Sequence, residues 1–206
     1  MPSFNKPPTV SDDYRAVDIY RKAAKIIHEK GFNATSMGDI AEAVDLTKGG
    51  LYYYIKGKKA LLFAIMNFAM DLLENEVLEP ARAEHDDEKR LALLVGNHLR
   101  VVMGDPAAMS ILVNEEENLT AEHRAKVLVR KREYADTLHD AIRSMLDRQG
   151  NSHVDPVVAV FSFLGMIHWV VRWYQPDGRL TQDQVVEQMT HLALHGLKSN
   201  FEQKAS

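Results

Sequence analysis

Two short helical segments around a tight turn lie between Thr35 and Lys58, and they constrain the fold of this chain more than any other stretch. The stretch reads TSMGDIAEAVDLTKGGLYYYIKGK. Thr35 or Ser36 offers an oxygen to the orphan N–H groups of a helix start. Asp39, three residues after Ser36, completes a rough capping box. Met37, Ile40, Ala41 and Val44 then fall at helical spacing and form one apolar face. Asp45-Leu46 breaks the pattern, and Thr47 is a fresh N-cap. Lys48 to Tyr54 follows as about two turns of helix, with Leu51 and Ile55 on its inward side. Two such helices joined by a short turn outline a helix-turn-helix. The second carries Lys48, Gly49, Gly50, Tyr52 and Tyr53, which have little apolar reason to be buried. A helix of that kind is built to be read from outside, and double-stranded DNA is the expected reader.

The flanks complete a small head. Ser11 to Lys30 predicts a helix with Val17, Tyr20, Ala24 and Ile27 along one stripe, ended by Gly31 at C′. Ile19, Ile26, Ile40 and Leu51 are the expected core, with Phe32 tucked beneath. From Lys58 to about Glu79 a longer helix turns Leu61, Leu62, Ile65, Phe68, Ala69 and Leu72 inward, and Pro80 marks its end. The expected division is residues 1–60 as a helix-turn-helix DNA-binding domain and 61–206 as a ligand-binding and dimerisation domain.

Beyond a charged loop over 81–88, helical signals continue to the end. Lys89 to Met103 is amphipathic and stops at Gly104. Asp105-Pro106 and Asp155-Pro156 each place a cap before a first-turn proline. Thr120 caps a helix running to about Arg148, which Gly150-Asn151 closes. Thr181 with Gln184 is a capping box for Gln182 to Leu197. Val157 to Tyr174 is apolar on nearly every side, through Val158, Phe161, Phe163, Leu164, Ile167, Trp169, Val170 and Trp173. Such a helix must be covered all round: one face by its own domain, the rest by a partner subunit. Strand signals, repeats and low-complexity tracts are absent. The fold class is all-α, about nine helices, with an N-terminal three-helix head and a C-terminal helical body.

Composition narrows the function. Hydrophobic residues are 46% and charged residues 26% of 206, an ordinary globular balance. The sequence reading finds no membrane span and takes MPSFNKPPTV as a disordered arm rather than a signal peptide. With no cysteine there are no disulfides or thiol chemistry, in keeping with a cytoplasmic setting. The net charge of −4 conceals an asymmetry. Residues 1–60 hold ten Lys/Arg against seven Asp/Glu, hence +3; the remainder holds fifteen against twenty-two, hence −7. A basic head on an acidic body is what a protein needs when one end approaches phosphates.

Residues 19–62 resemble the N-terminal domain of the TetR family of bacterial repressors. The resemblance rests on Gly31-Phe32, Ile40-Ala41, Leu51-Tyr52-Tyr53-Tyr54 and Lys58 at the family's spacing, about a fifth of the chain. Ile55 stands where Phe is usual, Gly57 where a small polar residue caps, and Lys59 where Glu is common. Further on, Gly165-x-x-x-Trp169, Arg172-Trp173-Tyr174-x-Pro176-x-Gly178 and Asn114-Glu115-Glu116 to Leu119-Thr120 look like the branch that responds to acyl-CoA thioesters, the FadR-like and steroid-degradation regulators. The resemblance implies a ligand-responsive repressor that binds a palindromic operator as a homodimer through its last two helices and is released by a small hydrophobic or acyl-CoA effector. A drug or aromatic compound is the alternative effector.

These readings assign residues. The expected DNA-binding set is Thr35, Ser36, Thr47, Lys48, Gly49, Gly50, Tyr52, Tyr53, Tyr54 and Lys58. Lys48 could reach guanine O6/N7, Tyr52 and Tyr54 supply hydroxyls for phosphate, Tyr53 meets a thymine methyl, and Lys58 adds a phosphate contact. Tyr54 lies on the Leu51 side and could equally pack inward. The expected ligand-binding set is Met103, Met109, Leu112, Glu116, Phe161, Met166, His168, Trp169, Arg172 and Trp173. Its apolar members could equally be core, and Arg172 could pair with Glu115 or Glu116. Neither a cofactor nor a metal site is expected. Against an enzyme, Gly-x-Ser-x-Gly, P-loop and Rossmann glycine patterns are missing. His191-x-x-x-His195 has metal-ligand spacing but no third ligand. A helical interaction module without DNA binding is the remaining rival, and would lack the salt-dependent DNA affinity of a repressor.

Overall fold

Gly31, at φ +84°, ends the first helix where the sequence placed the stop, in a backbone region that glycine enters without a Cβ clash. In this computed structural model of the protein, residues 10–150 and 153–198 are described. Most of the N-terminal arm and Asn151 lie outside them. Nine α-helices occur among the described residues, counting the rod from Lys58 to Arg82 as one, and no strand.

They are α1 (Val10–Lys30), α2 (Met37–Ala43), α3 (Lys48–Tyr54), α4 (Lys58–Leu73), α5 (Asp87–Gly104), α6 (Pro106–Asn114), α7 (Ala121–Gln149), α8 (Pro156–Trp173) and α9 (Gln182–Lys198). After Leu73 the rod continues through a π-helical turn, Glu74–Leu78, into a last α turn, Glu79–Arg82. Pro80 therefore does not end the helix, as the sequence reading expected. The Glu79 N–H reaches back to the Glu74 carbonyl, five residues away. A wide turn of that kind accommodates the proline ring and its missing donor.

The chain divides into two compact units. The first takes the residues up to 69 together with 107–127; the second takes 70–106 together with those from 128 on. In the first, α1 packs on α2 and α2 on α3. The buried stripe of α1 is Ile19, Ala23, Ala24 and Ile27, while Val17, Tyr20 and Ile26 are half-buried. The face is thus rotated from the expected one, because Ile19, Ala23 and Ile27 recur at i, i+4 and i+8. Phe32, Ile40, Ala41, Val44, Leu51 and Ile55 close the core of the head. Each large side chain so buried stabilises by about 1.5–3 kcal/mol. Met109 and Leu112 of α6 are also buried core, and Phe63 stacks on His123 with ring centroids 4.0 Å apart.

In the second unit α5 is the central helix, with α8 and α9 packed against it. Asp86 caps α5 by accepting from the Lys89 N–H at 2.9 Å, so the helix starts two residues earlier than expected. Asp87, 6% exposed, is compensated by Arg148 at 2.6 Å, Arg90 at 3.3 Å and the Ser144 hydroxyl at 3.0 Å. A buried carboxylate without such partners would be strongly destabilising. Helix α8 buries Ala159, Val160, Phe163, Ile167 and Val170. Contrary to the sequence reading, its 18 residues, of mean hydropathy 1.5, are long and apolar enough to cross a membrane; 28% of them are buried.

Candidate nucleic-acid interface and effector body

The turn of the helix-turn-helix is fixed by caps on both sides. Ser36 accepts the Asp39 N–H at 3.1 Å, and its own N–H and hydroxyl donate to the Asp39 carboxylate at 2.7 and 2.6 Å. The Ser36 hydroxyl, its N–H and then Lys30 hold that carboxyl far below its usual range. Asp45 sits at φ +56°, a left-handed position that an Asp tolerates better than most residues. Arg15 donates to the Val44 carbonyl at 3.2 Å, closing the exit of α2. Thr47 accepts the Gly50 N–H at 3.1 Å and starts α3. A Cβ at Gly50 would come within 3.3 Å of that Thr47 hydroxyl oxygen, so the small residue lets the cap close.

On this frame α3 buries Leu51 and turns its other side chains outward. Lys48 and Gly49 are exposed, Tyr52 is 51% exposed and Tyr53 85%. Tyr54, 38% exposed, is not core; its ring meets Tyr53 edge-on at 5.3 Å. A cation and three phenols thus share one short exposed helix. Sequence reasoning missed Gly38. A Cβ there would lie 2.8 Å from Lys48 Cε, so the Lys48 stem passes over a bare patch of α2. The signal was available, since a glycine inside a helix costs about 1 kcal/mol relative to alanine.

Two expected DNA contacts are placed otherwise. Thr35 is 1% exposed, and its hydroxyl donates to the Gly31 carbonyl at 2.8 Å. Lys58 Nζ donates to the carbonyls of Phe32, Thr35 and Asn33 at 2.8, 2.9 and 3.3 Å, and lies 4.5 Å from the Phe32 ring centre. Its ammonium gathers the carbonyls that the end of α1 leaves without helical partners. It is a tether of the head rather than a free cation.

The expected ligand set is divided between the two units. Met109 and Leu112 are core of the first unit. Glu116 lies 3.4 Å from Arg124. Phe161, Trp169 and Trp173 are exposed on α8, at 68%, 64% and 50%. Arg172 is exposed with its guanidinium 6.0 Å from the Trp169 ring centre. Met166, Trp169 and Trp173 line a shallow apolar groove with α9 residues Met189 and Leu192. These residues form an outer face and do not enclose a ligand, because a helix has only one side toward α5. Met103 is half-buried. His168 alone reaches a buried polar cluster: its ring is 5.2 Å from that of His98, whose Nδ1 is 2.8 Å from the Tyr134 hydroxyl. Burial, then the Lys131 charge, pushes His168 down to about 4; burial, then His168, pushes His98 well down too.

A capped turn presenting a short polar helix, on a chain continuing into a separate helical body, defines a helix-turn-helix regulator. Residues 19–65 match the bacterial regulatory proteins of the tetR family, and residues 84–197 match the tetracyclin repressor-like C-terminal domain. The chain belongs to the TetR family of transcriptional regulators. It is 28% identical over 200 residues to the HTH-type transcriptional repressor KstR2 of Rhodococcus jostii (strain RHA1), covering 94% of this chain and 98% of that one. Among solved structures it is similar to AibR in complex with isovaleryl coenzyme A and operator DNA. That match has 40% identity and a TM-score of 0.76, and covers 86% of this chain and 97% of that one. It is also similar to the TetR-family regulator PfmR from Thermus thermophilus, at 28% identity and TM-score 0.76, covering 88% and 99%.

Proposed function

We propose that this regulator is a cytoplasmic repressor that binds a two-fold operator as a homodimer and leaves it when an acyl-CoA occupies the body. The observation that carries the DNA reading is the exposed trio Lys48, Tyr52 and Tyr53 on a helix held in place by caps and by Leu51. Their exposure leaves them outside the core, and their chemistry suits base edges and phosphates. One such helix reads too little sequence, so two are needed, about 34–36 Å or somewhat more apart along the groove. The outer face of α8 and α9, with Val158, Phe161, Trp169 and Leu192 exposed, is the surface a second copy would cover. That cover also accounts for the hydropathy of α8 without a membrane.

For the effector, the isovaleryl coenzyme A held by the similar regulator AibR supports an acyl-CoA thioester. Such a ligand acts only if it binds the DNA-incompetent arrangement better; α4, which leads out of the head, is the element through which it would respace the two heads. The test is fluorescence anisotropy of the purified protein on its own upstream DNA, with a panel of acyl-CoAs. Affinity should fall steeply with salt, and one acyl-CoA should release the DNA. Lys48→Ala should weaken binding while thermal stability stays within error. Salt-independent binding, or an acyl-CoA that strengthens it, would overturn the reading.

A further inference from the structure

The outer face of α8 has at its centre a residue that a single copy of the chain does not require. Gly165 lies near the middle of Pro156–Trp173 and is exposed. Glycine is the poorest residue for a helix interior after proline. Its φ is not positive here, and an added Cβ would meet no atom of the described residues within 4 Å beyond its own stretch of helix. Neither a turn nor a packed neighbour in the same chain therefore explains the missing side chain. A helix left bare at one point lets a second backbone come close there.

The side chains on either side of Gly165 are spaced symmetrically. Phe161 and Trp169 stand four residues before and after it, and Val158 and Arg172 seven. Those spacings put all five positions on one helix face, and all five are exposed. With a two-fold axis at Gly165, an antiparallel second copy brings its Phe161 level with Trp169 and its Val158 level with Arg172, and the same pairs form again on the other side. The apolar groove of about 330 Å³ that Met166, Trp169, Met189 and Leu192 help to line then has an occupant, the Phe161 ring of the second copy. Charge selects the direction. A parallel crossing would set Arg172 level with Arg172 of the other copy, like charge against like. The antiparallel one sets it near Asp155, the exposed carboxylate that caps α8 one turn before Val158.

We propose that the α8 helices of two copies cross antiparallel at Gly165, with the two bare backbones in contact on the two-fold axis. This deepens the homodimer reading above and rests on it. The chain has no cysteine, so introduced thiols report position directly. Gly165→Cys, Val158→Cys and the double variant Phe161→Cys/Trp169→Cys of the full chain are oxidised with diamide and run on denaturing gels without reductant. Sedimentation of the unaltered protein at the same concentration reads its oligomeric state. Two residues 165 on the axis can reach the roughly 4.4–6.8 Å between Cα atoms that a disulfide spans, whereas two residues 158 are about 20 Å apart. Gly165→Cys and the double variant should therefore become covalent dimers, and Val158→Cys should not. Gly165→Leu, for which a lone chain has room, should raise the dimer dissociation constant by about tenfold or more with helix content unchanged. A dimer in which Gly165→Cys stays unlinked, or Val158→Cys links as readily, overturns the crossing and leaves the homodimer reading standing. An unaltered protein that sediments as a monomer overturns both.

Discussion

Replacing Lys58 by methionine separates a tether from a DNA contact. The ammonium donates to the carbonyls of Phe32 and Thr35 at 2.8 and 2.9 Å and to that of Asn33 at 3.3 Å. Hydrogen bonds to a charged group contribute about 1.5–3 kcal/mol each. One ammonium shares these, at a half-buried site, so we take the low end for the two short bonds together, about 2 kcal/mol. The face of Phe32, 4.5 Å away, adds roughly 0.5–1 kcal/mol. Methionine keeps the apolar stem, so the loss is about 2.5–3 kcal/mol, or about 5–12 °C for a chain of this size. Urea and thermal unfolding read that loss. Operator affinity against salt reads the other role, because losing a phosphate contact lowers the slope by about 1. We expect reduced stability and an unchanged slope. An unchanged melting curve with a shallower slope would refute the tether and return Lys58 to the phosphates.

Other consequences follow from the same contacts. Ser36→Ala removes the oxygen that accepts the Asp39 N–H at 3.1 Å, and should cost the head about 1 kcal/mol in chemical denaturation. Phe161→Glu places a charge in the exposed α8 face, where Phe161 is 68% exposed; sedimentation should show the proposed dimer shifting toward monomer with secondary structure intact, and an unchanged dimer would move the interface elsewhere. His98 and His168 both have pKa values lowered by burial. Their neutral forms contribute fully above the unfolded value of about 6.5, and that stability is lost as pH falls toward the folded values. With His168 at about 4, it alone should remove about 2 kcal/mol between pH 7 and pH 5, measured by urea midpoints; a flat profile would mean the ring is hydrated.

How far the sequence reached depended on the range of the signal. Caps and stops act over three or four residues, so Ser36, Thr47, Thr120, Asp155 and Thr181 were legible, and each caps as expected. The apolar surplus of α8 was legible for the same reason, since one helix can bury only one side in its own domain. Rotation about a helix axis was not. Ile19 and Ile27 are buried as expected, but Ile26 and Val17 are only half-buried while Ala23 faces inward, because the neighbouring helices choose between overlapping stripes. Nor could spacing reveal that Lys58 reaches carbonyls 23 to 26 residues earlier, or that Tyr134 meets His98 across 36 residues. By itself, then, the sequence determined the helices, most of their ends and the exposed character of α3. Only the tertiary structure decided which cation is held by carbonyls and which histidine meets a buried tyrosine, because each depends on partners that packing, not proximity in the chain, brings together.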